Sequence, residues 1–162
     1  MNWYNKSKNI NEKIKNIIRS SDFFSKLFKK FHVNMDKINT NLTFFVKDLD
    51  KIYAKGNKDY IFINSRLLND SNDLQDKIHY IVHEIVHWLT RQREKKEYFQ
   101  DPEERDSFLY GILYELLRNK SIEDIYKTFY PIISGHFEKK EDSKKVMKAL
   151  LLKALSKVKD FE

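Results

Sequence analysis

Three glycines and two prolines in 162 residues leave the backbone few free turning points and little room for a flexible linker. The chain shows no internal repeat, no low-complexity tract and no shift in composition, so residues 1–162 read as a single domain. That length suits one hydrophobic core. Apolar residues make up 41% and aromatics 14%, as in folded chains. No apolar run approaches the roughly 20 residues of a membrane span, and the opening MNWYNKSKNINEK lacks the apolar stretch of a secretory signal. The expected location is therefore the cytoplasm, or a larger assembly such as a virion, with no membrane partner. Cysteine is absent, which excludes disulfides and thiolate metal sites together.

Patterning divides the chain into an N-terminal helical segment over 1–40, strands over 41–66 and helices beyond. Ile10, Ile14, Ile17, Phe24, Leu27 and Phe28 recur at helical spacing, with a break expected at Ser20-Ser21-Asp22, where Ser or Asp can cap a second helix. NTNLTFFVKDL and KDYIFINSRLL read as strands from their β-branched and aromatic residues. Gly56 and Asn57 between them serve as turn residues of a hairpin-like pair. A long helix is expected over 72–98, capped by Ser71 or Asn72. Another follows over 102–119, with Pro102 in its first turn. The C-terminal helices cover 121–162, where Ser121 caps, Pro131 interrupts, and Val146, Leu150, Leu151, Leu155 and Val158 share a face. The fold class is α+β: mostly helical, with a small sheet or hairpin ahead of the helix over 72–98.

That helix carries HEIVH, residues 83–87. His83 and His87 lie about one turn, roughly 6 Å, apart on one face, so both imidazoles can approach one zinc ion at about 2.0–2.1 Å. Glu84 is offset by about 100°, out of the ligand shell but within reach of a water on the metal. One rigid turn thus supplies two metal ligands and a general base. Ile85 and Val86 are apolar, as a helix half-buried beneath a cleft requires.

Zinc needs a third protein ligand if one position is to stay open. A close downstream histidine is ruled out, because Thr90 and Arg93 occupy the positions of the metzincin Gly and His. The following helix offers carboxylates instead: Glu103 and Glu104, 16 and 17 residues after His87. Either one suits the site, and either one equally suits the first turn of a helix for its dipole alone.

HEIVH followed by a Glu-bearing helix resembles the gluzincin branch of the zincin metallopeptidases. Within that branch, Pro102-Glu103-Glu104-Arg105-Asp106-Ser107 resembles the P-x-E-x-x-A segment of small phage-encoded and SprT-like H-E-x-x-H proteins. The resemblance covers about residues 59–110 and implies a zinc endopeptidase with Glu104 as third ligand and Glu84 as base. It also implies that Tyr60–Asn64, as the edge strand, forms the cleft wall and holds an extended peptide substrate. Two departures stand out. Ser107 replaces the usual Ala, and Phe108 stands where thermolysin-type enzymes carry an Asp, which leaves the partner of a ligand histidine unassigned.

His136, Tyr110 and Tyr114 are candidates to stabilise the transition state, each with core packing or a surface turn as the simpler role. His79, eight residues from His87, is about 12 Å along the helix from it and cannot share its ion. The net charge of +7, with only six Arg among 31 basic residues, reads as a solvated lysine surface, and gives weak support to a nucleic-acid partner. The alternative to a peptidase is a non-catalytic module of zincin-like fold, a phage component or regulatory partner. Glu84 argues against it, because a structural site needs the histidines and not the base.

Overall fold

A computed structural model of the chain describes residues 3–49, 52–68, 76–92 and 100–162, and for 3–9, 67, 68, 92 and 100–104 it describes the backbone alone. Two compact units form, residues 1–97 and 98–162. The fold class is the expected one, α+β and mostly helical with a three-stranded sheet.

In the first unit, α1 (Trp3–Ser20) and α2 (Asp22–Lys30) meet at Ser21, whose backbone is extended and whose hydroxyl accepts the Phe24 amide. This is the expected break, made by a serine cap. Ile14, Ile18, Phe24, Leu27 and Phe28 are buried. After the short α3 (Lys37–Asn41) comes β1 (Thr43–Lys47), then β2 (Ala54–Asn57) and β3 (Tyr60–Asn64).

The sheet order is β1-β3-β2, with β1 parallel and β2 antiparallel to β3. This corrects three expectations. The two apolar strands, β1 and β3, pair in parallel rather than as a hairpin. AKGN is itself a strand, so Gly56 and Asn57 are not turn residues. The turn is Lys58-Asp59, with Lys58 at φ 51° in the left-handed region. YIFIN is the central strand, so it is not an edge that could take up a peptide. The misreading has a plain cause: Ala, Lys, Gly and Asn are all poor strand formers, and pairing to β3 overrides them.

Register places Phe44, Val46, Ile61, Ile63, Ala54 and Gly56 on one face of the sheet. The five side chains there are buried, with α1 against β1 and the HEIVH helix α4 (Ile78–Gln92) against β2. On the opposite face the Phe45 ring lies 5.5 Å from that of Tyr60 and 5.9 Å from that of Phe62. The outward amide of Phe44 on β1 donates to Asn11 Oδ1 at 2.9 Å, so α1 closes part of that edge. The proposed caps Ser71 and Asn72 lie outside the described residues.

The second unit is α5 (Gln100–Leu117), α6 (Ile122–Ser134) and α7 (Lys140–Phe161), each packed against the other two. Pro102 falls in the first turn of α5, and Ser121 caps α6 by accepting the Asp124 amide at 3.1 Å, both as expected. Asn119, at φ 62° after α5, is the left-handed residue that often ends a helix. Pro131 does not break α6, which runs on to Ser134. It sits in the last turn, where its missing N–H forgoes the one bond that the Lys127 carbonyl would accept.

The buried stripe of α7 is Ser143, Met147, Leu150, Ala154 and Phe161, rather than a face that includes Leu155. Leu150 is 6% exposed and Leu155 40%. Leu150→Ala should therefore cost about 2–5 kcal/mol in urea unfolding and Leu155→Ala about 0.5 or less. Equal costs would contradict this placement of the helix.

Candidate metal centre

Six apolar residues of α4 fix how the motif is presented. Ile81, Val82, Ile85, Val86, Trp88 and Leu89 are fully buried, and the polar residues between them, His83, Glu84 and His87, are left half-buried. A helix with this pattern has one rotation about its axis that buries its apolar residues, and that rotation brings the HEIVH side chains to the boundary of the core.

The two imidazoles converge. Their Nε2 atoms are 3.2 Å apart, with ring centroids at 4.9 Å. Two nitrogens at about 2.0–2.1 Å from one tetrahedral zinc stand about 3.3 Å from each other. The pair thus fits a single zinc ion as placed. The same distance also fits an N–H···N bond between neutral rings of opposite tautomer, so the fit is to a shared proton as well as to a shared metal. Among the described residues no third His, Asp or Glu joins the pair. Glu103 and Glu104 are the fourth and fifth residues of α5 in the second unit, and their side chains are outside the described residues.

Glu84 turns toward β2. A Cβ built on Gly56 would fall 2.7 Å from Glu84 Oε2, 3.8 Å from its Cδ and 3.7 Å from Arg91 Nη2. Arg91 also donates to the Lys58 carbonyl at 3.1 Å, and the buried Trp88 donates Nε1–H to Asp59 Oδ1 at 3.1 Å. At the other end of β2, Tyr53 lies 4.9 Å from the Tyr80 ring. Taken in order, Tyr53 meets Tyr80, Gly56 meets Glu84, and the turn meets Trp88 and Arg91. Strand and helix therefore run side by side in the same direction. Sequence reading missed this arrangement. A glycine within a strand is a recognised sign of close backbone approach, but the strand itself was not legible.

The strand beside the motif helix is β2, and it is an edge strand. Its pairing shows which backbone groups point outward. Asn64 N–H donates to the Tyr53 carbonyl at 2.9 Å, so in this antiparallel ladder Tyr53, Lys55 and Asn57 bond to β3. The intervening Ala54 and Gly56 turn their N–H and C=O away from it. Among the described residues no further strand pairs there.

The remaining candidates are placed as follows. His79 is buried, 3% exposed, with its ring 4.2 Å from that of Tyr80. Tyr110 is 5% exposed and packs on Phe161, His136 is exposed with its ring against Phe108, and Tyr114 lies under Arg118. Burial pushes the Tyr114 phenol above its usual range, the nearby Arg118 opposing, so it stays protonated and able to donate at neutral pH. Tyr110, Tyr114 and His136 all belong to the second unit. Ser107 is fully buried and its hydroxyl has no hydrogen-bond partner among the described residues.

Purified chain freed of any tag should carry about one zinc by elemental analysis, lost in His83→Ala and His87→Ala and weakened in Glu104→Gln. Zinc-free wild type, folded by circular dichroism and still empty after equilibrium dialysis against zinc, would identify the 3.2 Å contact as a hydrogen bond. No family model, characterised protein or solved structure matches the chain.

Proposed function

We propose that the chain is a zinc metallopeptidase that cleaves peptide bonds. His83 and His87 hold the metal, with Glu104 as third ligand and Glu103 as the alternative. The observation that carries this reading is the 3.2 Å separation of two Nε2 atoms on a helix that also presents a half-buried glutamate at the next position. A bare pair of histidines would serve a structural site equally well. The adjacent carboxylate is what such a site does not need.

Zinc, when bound, supplies a Lewis acid that polarises a carbonyl and acidifies water. The chain's own part is positional. Glu84 accepts the attacking water's proton on a carboxylate oxygen and passes it to the leaving nitrogen. The outward N–H and C=O groups of Ala54 and Gly56 bind an extended peptide as one more strand, next to that carboxylate. This moves the substrate-binding strand expected at Tyr60–Asn64 to Ala54–Asn57. Because backbone groups do the holding, the substrate class is an unfolded or extended segment rather than one fixed side chain. Tyr114, Tyr110 and His136 remain candidates to donate to the developing oxyanion.

Glu84→Gln tests the reading directly. Zinc content should stay at about one per chain while cleavage of fluorescein-labelled casein falls about 10²–10⁴-fold. Equal cleavage by wild type and Glu84→Gln would assign the activity to a contaminant or to a different base. A zinc-loaded wild type with no cleavage of casein or of a fluorogenic peptide library would favour the non-catalytic zincin-like module.

A further inference from the structure

Glycine inside a strand is unfavourable relative to alanine, by about 0.5–1 kcal/mol, so its presence in β2 calls for a reason. Backbone conformation is not that reason, since no described glycine has a positive φ. The space occupied by the missing side chain is. That space holds Glu84 Oε2, 2.7 Å from where the Cβ would stand, with Arg91 Nη2 on the same side at 3.7 Å.

We infer that Gly56 is a positioning residue for Glu84: its missing β-carbon opens the space in which the carboxylate lies against the edge strand. The inference rests on the peptidase reading for its functional consequence and on the geometry alone for its structural one. Two features make the position particular. Ala54, the other residue of β2 on this face, carries a buried methyl, so the glycine is not a general requirement for α4 to approach the strand. Gly56 is also one of the two β2 residues with backbone groups directed to the edge that no other described strand pairs, so the carboxylate is brought beside the place where a peptide would pair. The arrangement thus sets the base and the substrate's backbone against one residue.

The atom in conflict with an added Cβ is the far end of a side chain with three rotatable bonds. Alanine at position 56 is therefore accommodated by moving the carboxylate, while β2 and α4 stay where they are. That separates a positioning role from a merely structural one. Gly56→Ala should keep its Tm or raise it and keep about one zinc per chain. Its rate on saturating fluorescein-labelled casein should fall about 10–100-fold, the loss expected for a reacting group displaced by about 1 Å. The casein concentration at half-maximal rate should stay within about twofold, because the outward backbone groups remain.

The structural half is read without turnover. Wild type should show an NOE between the Gly56 α-protons and the Glu84 γ-protons, and the Glu84 γ-resonances should shift in Gly56→Ala while those of Ile85 and Val86 do not. An unchanged casein rate in Gly56→Ala, or unchanged Glu84 resonances, would overturn the inference. A zinc-bearing wild type inert toward casein would instead remove the peptidase reading, and the placement of Glu84 by Gly56 would then be decided by the NMR comparison.

Discussion

The seam between α4 and the β2–β3 hairpin is the constraint on which the site depends. Trp88 is fully buried, packs with its ring 6.1 Å from that of Phe28 at a tilt of 45°, and donates its one polar hydrogen to Asp59 in the hairpin turn. A buried indole N–H left without a partner would cost about 1–3 kcal/mol, so the helix is held to a register that keeps this bond. Arg91, one turn on, takes the neighbouring Lys58 carbonyl. These two bonds pin the C-terminal half of α4 to one end of β2, and the Tyr53–Tyr80 contact pins the other. Everything between, including Glu84 and the glycine facing it, is placed as a consequence.

Rotation of α4 is set separately, by burial. Turning the helix far enough to hide His83 and His87 would bring Ile81, Ile85 or Val82 to water, at about 1.5–3 kcal/mol for each side chain exposed. Turning it the other way would hide Glu84, whose charge would then lose its solvation. The motif is held at the boundary because neither rotation is affordable. A half-buried imidazole pair is well suited to a cation: water is partly excluded, the rings are held by packing, and the Nε2 atoms already face each other. Preorganisation of this kind lowers the entropy cost of binding.

Much of this was legible in the sequence, and the misses share a cause. The spacing of His83 and His87 places them on one helical face, with Glu84 about 100° round from His83, and the apolar residues around them announce which side is inward. Ser21 and Ser121 were readable as caps because capping is a local event between a side chain and amides two or three residues away. The strand AKGN was not, because it exists through its pairing with YIFIN and has almost no propensity of its own. Missing it turned a parallel β1–β3 pair into a hairpin, while the expectation of an edge at Tyr60–Asn64 came from the resemblance and not from the residues. The Leu155 face of α7 failed for a related reason. A helix with leucines at 150, 151, 152 and 155 offers several apolar stripes, and packing against α5 and α6 selects the one through Met147, Leu150 and Ala154. Glu104 marks a different boundary: its identity and spacing are local, but whether a residue serves as a third ligand is settled by three-dimensional placement, which no local pattern encodes.

The two edges of the sheet differ in a way that bears on function. Exposed edge strands invite unwanted pairing, and proteins limit the risk by covering them or keeping them short. On β1 the outward Phe44 amide is taken by Asn11, a side chain placed by α1. On β2 the strand is four residues long, rich in lysine and asparagine neighbours, and carries a glycine at its centre. Such a strand is a poor template for aggregation, since it has too few apolar side chains to form a dry interface with another sheet. It nevertheless keeps backbone groups directed outward at two positions, and one of them is the residue against which Glu84 lies. Under the proposed peptidase reading, an edge that is weak as a self-association surface but keeps outward hydrogen-bonding groups would suit an extended peptide that is held briefly and released.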